Sequence, residues 1–247
     1  MRYLILSDIH GNWEALEAVL ESAAGRYDAI ICLGDLVGYG ADPNPVVDWA
    51  RAHVSVVVRG NHDRACAGLD DLEWFNPVAR IAAEWTHHQL TGENLEYIAA
   101  LPKGPIAVDS FQVMHGSLLD EDGYVVTASD AVQTFPYLET PLAFYGHTHI
   151  QGGFAWVRNR VWTVGRPDRP AQNDLVLEFD PDAAYLVNPG SVGQPRDGDP
   201  RAGYLLYNPE DRFLTYRRVH YPIDIAQEKI RSAGLPDLLA ERLAVGK

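Results

Sequence analysis

Cysteine is scarce in this chain of 247 residues, which contains only Cys32 and Cys66. Two cysteines cannot build the disulfide framework of a small secreted domain, so we expect a protein of the reducing cytoplasm. Long apolar runs are missing as well. The first apolar run stops at Ser7, which is too short for a signal peptide, and no later run could cross a bilayer. We therefore predict a soluble protein with no membrane partner.

Basic residues are also few. The chain has 20 Lys and Arg against 34 Asp and Glu, which gives a formal net charge of -14 at pH 7. This excess of negative charge repels a phosphate backbone and argues against general nucleic-acid binding. It does not exclude a small anionic substrate, because bound divalent cations can reverse the local field. The sequence does not indicate an oligomeric state.

The hydrophobic content of 47% is sufficient for a large buried core. No segment resembles a linker, so we predict one domain over residues 1–247, with a C-terminal helical extension at about 223–247. The first half alternates short apolar runs with segments of helical periodicity, whereas strand-like runs dominate the second half. This pattern predicts an α/β fold in which two mixed β-sheets pack face to face with helices outside.

Five of the apolar runs end in polar loops that offer metal ligands. These loops are Asp8-Ile9-His10, Gly34-Asp35, Gly60-Asn61-His62-Asp63, Met114-His115-Gly116 and Gly146-His147-Thr148-His149. One Asp and one His after a strand more often cap a turn, so the interpretation depends on the recurrence. Open α/β sheets bind ligands at the carboxyl ends of their strands, and we expect these loops to gather there. The donors exceed what one tetrahedral zinc needs and suit a pair of metals.

The motif set resembles the calcineurin-like metallophosphoesterase superfamily, and in particular its small prokaryotic phosphodiesterase-like branch. The resemblance covers roughly residues 1–149, with a similar β-rich continuation to about residue 207. It implies a four-layer α/β/β/α sandwich that holds two divalent metal ions. Manganese, iron, zinc or nickel would all fit the mixed N and O ligands. The implied ligands are Asp8, His10 and His149 for one metal, Asn61, His115 and His147 for the other, and Asp35 as the bridge.

His62 resembles the family's catalytic histidine, which stabilises the transition state or protonates the leaving oxygen. The alternative is a surface histidine with no part in the reaction. The sequence departs from the protein phosphatase pattern Gly-Asp-x-x-Asp-Arg, because Gly38 and Tyr39 replace its last two residues. In that pattern the Asp orients the catalytic histidine and the Arg holds phosphate. Asp63 is a candidate replacement for the orienting Asp.

The resemblance predicts a dinuclear metal-dependent phosphoesterase that hydrolyses phosphodiesters of small molecules by attack of a metal-bridging hydroxide. A phosphomonoesterase or protein Ser/Thr phosphatase is an alternative. A non-catalytic scaffold would usually have lost ligands or the catalytic histidine, and a nuclease would need a basic path for its polyanion. Tyr39 and Arg196 are candidate substrate contacts, although a turn tyrosine and a solvated arginine explain them equally well. Segments 69–105 and 119–140 receive no role, except that the second could border the site.

Overall fold

The computed structural model describes residues 1–165 and 174–247. The strands in these ranges are β1 (Tyr3–Leu6), β2 (Ala29–Cys32), β3 (Val56–Val57), β4 (Ile106–Val108), β5 (Phe111–Val113), β6 (Leu142–Phe144), β7 (Gly152–Val157), β8 (Arg160–Val164), β9 (Asp174–Glu178), β10 (Ala184–Asn188), β11 (Ala202–Asn208) and β12 (Phe213–Val219). The helices are α1 (Trp13–Ala23), α2 (Pro43–His53), α3 (Asn61–Cys66), α4 (Pro77–Gln89), α5 (Gly92–Ala99), α6 (Ala128–Thr134), α7 (Ile223–Ser232) and α8 (Asp237–Leu243).

The strands form two mixed sheets of six strands each. The first has the order β3-β2-β1-β11-β12-β9, and the second has the order β4-β5-β6-β10-β7-β8. In the first sheet β1, β2 and β3 are parallel, and β11 pairs antiparallel with β1. In the second sheet β5, β6 and β10 are parallel, and β4, β7 and β8 are antiparallel to their neighbours. The predicted α/β fold with two mixed sheets is confirmed.

The position of strand β1 between two buried layers explains why its sequence is apolar throughout. Successive side chains of a strand point to opposite faces of the sheet. Tyr3 and Ile5 pack in the core between the two sheets, whereas Leu4 and Leu6 pack under the helices that cover the first sheet. Both faces of β1 are therefore buried, and a shift of one residue in register would not expose an apolar side chain. The fixed path of β1 also fixes where the loop after it begins.

The helices cover the outer faces of both sheets. Helix α1 begins where the side chain of Asn12 accepts a hydrogen bond from the backbone N–H of Ala15. On the second sheet, Ala131 of α6 packs in a core cluster with Ala143 and Leu186 of the strands. The layer order is therefore helices, sheet, sheet and helices, which agrees with the four-layer sandwich.

The C-terminal helices α7 and α8 share a core with the first sheet. Ile230, Leu239 and Leu243 belong to the same buried cluster as Leu4 and Leu6 of β1. An ion-pair cluster also holds α7 in place. The ammonium of Lys229 lies 2.5 Å from Glu14 and 2.7 Å from Asp42, at the starts of α1 and α2. The C-terminal helices therefore contact the two segments that follow the first two polar loops.

Two expectations about compartment and membrane can be compared with the structure. Cys32 and Cys66 are both free and buried. None of the helices in the described ranges has the length and apolarity needed to cross a membrane. The assignment of one domain to residues 1–247 stays a prediction, and it requires that α7 and α8 unfold together with the sheets.

We expect Leu239→Ala to lower the free energy of unfolding by about 2–5 kcal/mol, because it leaves a cavity under α8 in the shared core. Urea unfolding followed by circular dichroism measures this value, and a single transition is expected. Leu238→Ala is the matched control, since Leu238 is 51% exposed and Leu239 is fully buried. A separate early transition for Leu239→Ala, with the main transition unchanged, would contradict the assignment of one domain.

Candidate metal centre

Most of the predicted ligands have an uncommon backbone conformation. Asp8, His10, Asp35, His147 and His149 have φ values of 55, 50, 55, 65 and 59°, all in the left-handed region. Residues other than glycine rarely adopt this region, which costs of order 1–3 kcal/mol each and is found mainly where the surroundings over-determine it. Repeated strain at the ends of several strands indicates that the loops are shaped to aim these side chains at one place.

Hydrogen bonds between the loops hold this conformation. The N–H of Asp8 donates to Gly34 O at 3.0 Å, and the N–H of His10 donates to Asp35 O at 2.9 Å. The N–H of His147 donates to the carboxylate of Asp8 at 3.2 Å. These bonds link the loops after β1, β2 and β6, which belong to different sheets. The ligand loops are thus fixed to one another as well as to their strands.

The ligand atoms form two groups that share one residue. Within each group the candidate atoms all lie within 4.8 Å of one another, and the groups are Asp8, His10, Asp35 and His149, and Asp35, His115 and His147. Asn61 extends the second group, because its side-chain oxygen lies 3.1 Å from Nε2 of His115. The structure therefore brings together all seven residues that the sequence predicted as ligands, and Asp35 is common to both groups.

Ring nitrogens face one another inside both groups. Nε2 of His10 lies 3.1 Å from Nε2 of His149, and Nε2 of His115 lies 3.1 Å from Nδ1 of His147. The Oδ2 atom of Asp35 lies 3.5 Å from Nε2 of both His10 and His115. These convergent atoms are all ones that can donate an electron pair to a cation.

The outer nitrogen of each histidine bonds to a backbone carbonyl. The contacts are His10 Nδ1 to Val37 O at 3.0 Å, His115 Nδ1 to Leu33 O at 2.8 Å, His149 Nδ1 to Gln194 O at 2.6 Å and His147 Nε2 to Asp122 O at 3.0 Å. A carbonyl can only accept, so the proton belongs on the outer nitrogen. The inner nitrogen then keeps its lone pair, which is the usual arrangement of metal-binding histidines.

The buried carboxylates fit a bound cation. Asp8 and Asp35 are fully buried, and their Oδ2 atoms have no hydrogen-bond partner among the described residues. Burial raises the pKa of Asp8 to about 7 and, together with the charge of Asp63, raises the pKa of Asp35 well above its usual range. Unpaired buried carboxylates are costly, and a divalent cation beside them removes that cost. The donor set of this centre therefore suits divalent metals.

His62 lies beside the ligands at the start of α3. It is 5% exposed, and its ring centroid lies 4.4 Å from that of Tyr39, 4.9 Å from that of His10 and 5.2 Å from that of Phe75. Its Nδ1 atom has no partner among the described residues. Burial, and to a smaller extent the charge of Arg196, lowers the pKa of His62 to about 3. Packing therefore holds the ring, and the neutral form is favoured.

Asp63 does not replace the missing partner of His62. Its carboxylate accepts hydrogen bonds from the backbone N–H groups of Asp35 at 2.8 Å, Leu36 at 2.9 Å and Gly60 at 3.0 Å. These bonds engage both oxygen atoms with the loops after β2 and β3. The suggestion that Asp63 orients His62 is wrong, because adjacent residues at the start of a helix point in different directions. Asp63 instead stabilises the backbone that presents Asp35.

The two candidate substrate contacts lie together at the centre. The guanidinium carbon of Arg196 is 5.6 Å from the centroid of the Tyr39 ring. Arg196 lies on the loop after β10. Its backbone N–H donates to His149 O at 3.1 Å, and its Nη2 donates to the side-chain oxygen of Gln194 at 2.9 Å. Its charge is among the causes that lower the pKa values of His10 and His149. The contact of either residue with a substrate stays a prediction.

The motif Asn188-Pro189-Gly190-Ser191 supports the ligand loops. The side chain of Asn188 donates to Gly146 O at 2.9 Å and to the hydroxyl of Thr148 at 3.0 Å. The hydroxyl of Ser191 donates to Asp8 O at 2.8 Å. These bonds reach the loops that carry Asp8, His147 and His149, which is the supporting role that a structural turn would have.

Two aromatic residues belong to the site although the sequence did not indicate them. The ring of Tyr124 stacks on that of His147, with centroids 4.0 Å apart and planes 28° apart, and Phe75 packs edge-on against His62. Both belong to segments that the sequence left without a role. Their only local signal is an aromatic residue within an acidic stretch, and this pattern is too common to identify a site.

A cavity of about 320 Å³ opens onto the centre. It is lined by Tyr39, Asn61, His62, Arg64, Asp70, Asp71, Phe75, Asn76, Ala79, Asp122, Tyr124 and His147. One wall comes from the segment after α3 and the start of α4, and another comes from the loop before α6. Segments 69–105 and 119–140 therefore both border the site, and cavities of this size typically bind small molecules.

Comparisons with known proteins agree with this geometry. The model of the calcineurin-like phosphoesterase superfamily domain matches residues 1–212. An uncharacterized protein of Methanocaldococcus jannaschii is 37% identical over 252 residues, which cover 98% of this chain and 97% of the relative. The structure is similar to a metallophosphoesterase from Sphaerobacter thermophilus, with 42% identity, a TM-score of 0.87 and coverage of 100% of this chain and 99% of that one.

A hypothetical protein from Pyrococcus horikoshii has the same fold, with a TM-score of 0.78 at 20% identity and coverage of 100% of this chain and 98% of that one. The family model spans all five ligand loops, and the 37% identical relative extends over nearly the whole chain. This chain belongs to the calcineurin-like phosphoesterase superfamily.

Proposed function

We propose that the protein is a dinuclear metal-dependent hydrolase of phosphodiesters of small molecules. The observation that carries the proposal is the pair of buried ligand groups that share Asp35. A scaffold with a vestigial site would not need to keep five strained ligand backbones and two unpartnered carboxylate oxygens. The free and buried cysteines agree with a reducing compartment, and we propose the cytoplasm.

We assign each of the two proposed cations to particular residues. Asp8, His10 and His149 would hold one cation, Asn61, His115 and His147 would hold the other, and Asp35 would contact both. Manganese, iron, zinc and nickel all accept such mixed N and O donors. Two bound cations supply Lewis-acid stabilisation of a phosphoryl group and lower the pKa of a water molecule towards 7. The neutral amide of Asn61 limits the negative charge that a phosphate ester meets.

His62 is the residue that we propose as proton donor to the leaving oxygen. It lines the cavity beside Asn61 without belonging to either ligand group. Ring contacts with Tyr39 and Phe75 hold it in one orientation, which a proton transfer requires. In the complex, the negative charge of the phosphate would favour the protonated imidazole.

Arg196 and Tyr39 are proposed to contact the phosphate and its substituent. A guanidinium can bind a phosphoryl oxygen, and Arg196 lies close enough to the ligand histidines to affect their protonation. The ring of Tyr39 lies between Arg196 and His62, where it can pack against an organic group. A diester carries one negative charge and two organic groups, and this combination of one cation and aromatic surface matches it better than a phosphopeptide dianion.

We expect Asp35→Asn to reduce the metal content of both sites, because Asp35 is the one residue common to the two ligand groups. The asparagine can still accept the hydrogen bond that the N–H of His62 donates to Asp35 at 2.9 Å, so the loop should keep its fold. Elemental analysis of protein reconstituted with manganese or zinc measures the effect. Asp8→Asn is the control and should reduce one site only. Two tightly bound metals in Asp35→Asn would exclude the bridge.

We expect His62→Ala to lower kcat by about 10²–10⁴-fold while both metals are retained, since general acids contribute about that much. The assay uses an alkyl ester whose leaving group needs protonation. An aryl ester with a good leaving group should be affected less. His88→Ala is the control, because His88 is an exposed histidine on α4. Near-normal hydrolysis of the alkyl ester by His62→Ala would show that another group donates the proton.

We expect the protein to hydrolyse bis(p-nitrophenyl) phosphate with a higher kcat/KM than phosphoserine or phosphothreonine peptides. Arg196→Gln should raise KM for the diester more than it lowers kcat, because the guanidinium contacts the bound anion. The comparison uses one metal and one pH. A clear preference for phosphopeptides would instead support the protein phosphatase alternative.

A further inference from the structure

We propose that the second organic group of the substrate is a compact alcohol that carries an ammonium cation. This inference rests on the proposed function, because it concerns the part of a phosphodiester that lies beyond the phosphate. The cavity over the metal centre has two chemically different ends. One end holds Asn61, His62 and His147, and the other is formed by aromatic and acidic side chains from two segments.

Aromatic side chains border the cavity on several sides. Tyr124 stacks on a metal ligand and is still 55% exposed, so one face of its ring is available to a bound molecule. Tyr39 and Phe75 border the cavity next to His62. Aromatic faces attract cations through their quadrupole, and quaternary ammonium groups are bound by such surfaces.

The guanidinium in the cavity wall is not available to a second phosphate. Arg64 lies 2.7 Å from Asp70, 2.7 Å from Glu121 and 2.5 Å from Asp122. These three carboxylates use its donor groups. Arg59 and Lys103 also pair with Glu121, at 2.9 and 3.7 Å. Arg64 is therefore engaged by carboxylates, and Arg196, which lies 5.6 Å from the Tyr39 ring, is the cation that we assign to the phosphate of the diester.

Asp71 adds a carboxylate that no described cation pairs with. One of its oxygens caps the turn that follows, since it accepts the N–H of Glu73 at 2.9 Å. Its exposed side chain lines the same cavity as Asp70 and Asp122. Asp70, Asp71, Glu121 and Asp122 carry four negative charges, whereas Arg59, Arg64 and Lys103 carry three positive charges. This end of the cavity therefore has one excess negative charge, which favours a cationic group and repels a further phosphate.

The acidic end is not isolated from the reaction site. His62 is more than nine-tenths buried, lines the same cavity and has a ring nitrogen with no partner among the described residues. The same cavity therefore connects the acidic side chains with the residue that we propose as proton donor. The volume of about 320 Å³ is at the lower limit of ligand cavities and suits a short alcohol rather than a dinucleotide.

The test compares two esters that differ in one atom. p-Nitrophenyl phosphocholine has a quaternary nitrogen where p-nitrophenyl neohexyl phosphate has carbon, so shape and leaving group are the same. The metal-loaded protein should hydrolyse the choline ester with a kcat/KM about five- to thirty-fold higher, which corresponds to one cation–π contact of about 1–2 kcal/mol. Calorimetry with phosphocholine and neohexyl phosphate should give the same preference in binding.

The variant Asp71→Asn measures how much of the preference for the choline ester over the neohexyl ester is electrostatic. Asparagine can still cap the turn, and the choline-to-neohexyl ratio should fall by about two- to fivefold, as expected for one exposed charge. Asp211→Asn is the matched control, because Asp211 is an exposed aspartate in the β11–β12 turn and should leave the ratio unchanged. Salt should also lower the ratio for the parent protein.

A choline-to-neohexyl ratio of one or less in both kcat/KM and binding affinity would overturn the inference. Hydrolysis of a dinucleoside polyphosphate faster than that of the choline ester would also overturn it. Hydrolysis of both esters at equal rates would leave the proposed function intact and remove only the cation preference. No hydrolysis of any ester by the metal-loaded protein would contradict the proposed function. The calorimetric comparison of the two monoesters would then decide the preference of the cavity by itself.

Discussion

The burial of Asp35 is the constraint on which the rest of the site depends. One of its carboxylate oxygens accepts the N–H of His62, and the other faces the ring nitrogens of His10 and His115. A side chain at Gly60 would have its Cβ 2.0 Å from the Asp35 carboxylate, so glycine is required there. A carboxylate in this position is costly without a compensating charge. The ring nitrogens around its second oxygen bring lone pairs, not protons, towards that atom, and a bound cation would satisfy this arrangement.

The fold contributes rigidity in two ways. Strand β1 is buried on both faces and is paired on both edges, with β2 and β11, which fixes its path and the point where the loop after it begins. The loops then bond to one another, for example from Asp8 to Gly34 and from His10 to Asp35. The cost of the left-handed backbone at these candidate ligands is therefore offset by contacts between the loops, which hold the side chains in place.

The sequence was sufficient to predict which candidate ligands come together, but not which residues line the cavity. Asp8, His10 and Asp35 directly follow buried strands, and the geometry of a parallel sheet brings strand ends together whatever the loops do. Tyr124 and Phe75 depend instead on the path of long loops, which Arg64 fixes through ion pairs with distant carboxylates. Such paths have no local pattern. The prediction that Asp63 orients His62 was wrong for a related reason, because adjacency in the sequence does not determine the direction in which a carboxylate points.

His62 is oriented in a different way from the histidine of the protein phosphatase pattern, which a carboxylate holds. Gly38 occupies the position of the orienting Asp, and a Cβ there would lie 2.7 Å from Nδ1 of His62. Replacing Gly38 by Asp would therefore move the ring rather than give it a partner. The contacts with Tyr39 and Phe75 orient the histidine instead, and these rings also border the cavity. If His62 is the proton donor that we propose, the same rings would position it and meet the organic group, so a well-fitting substituent should raise kcat as well as lower KM.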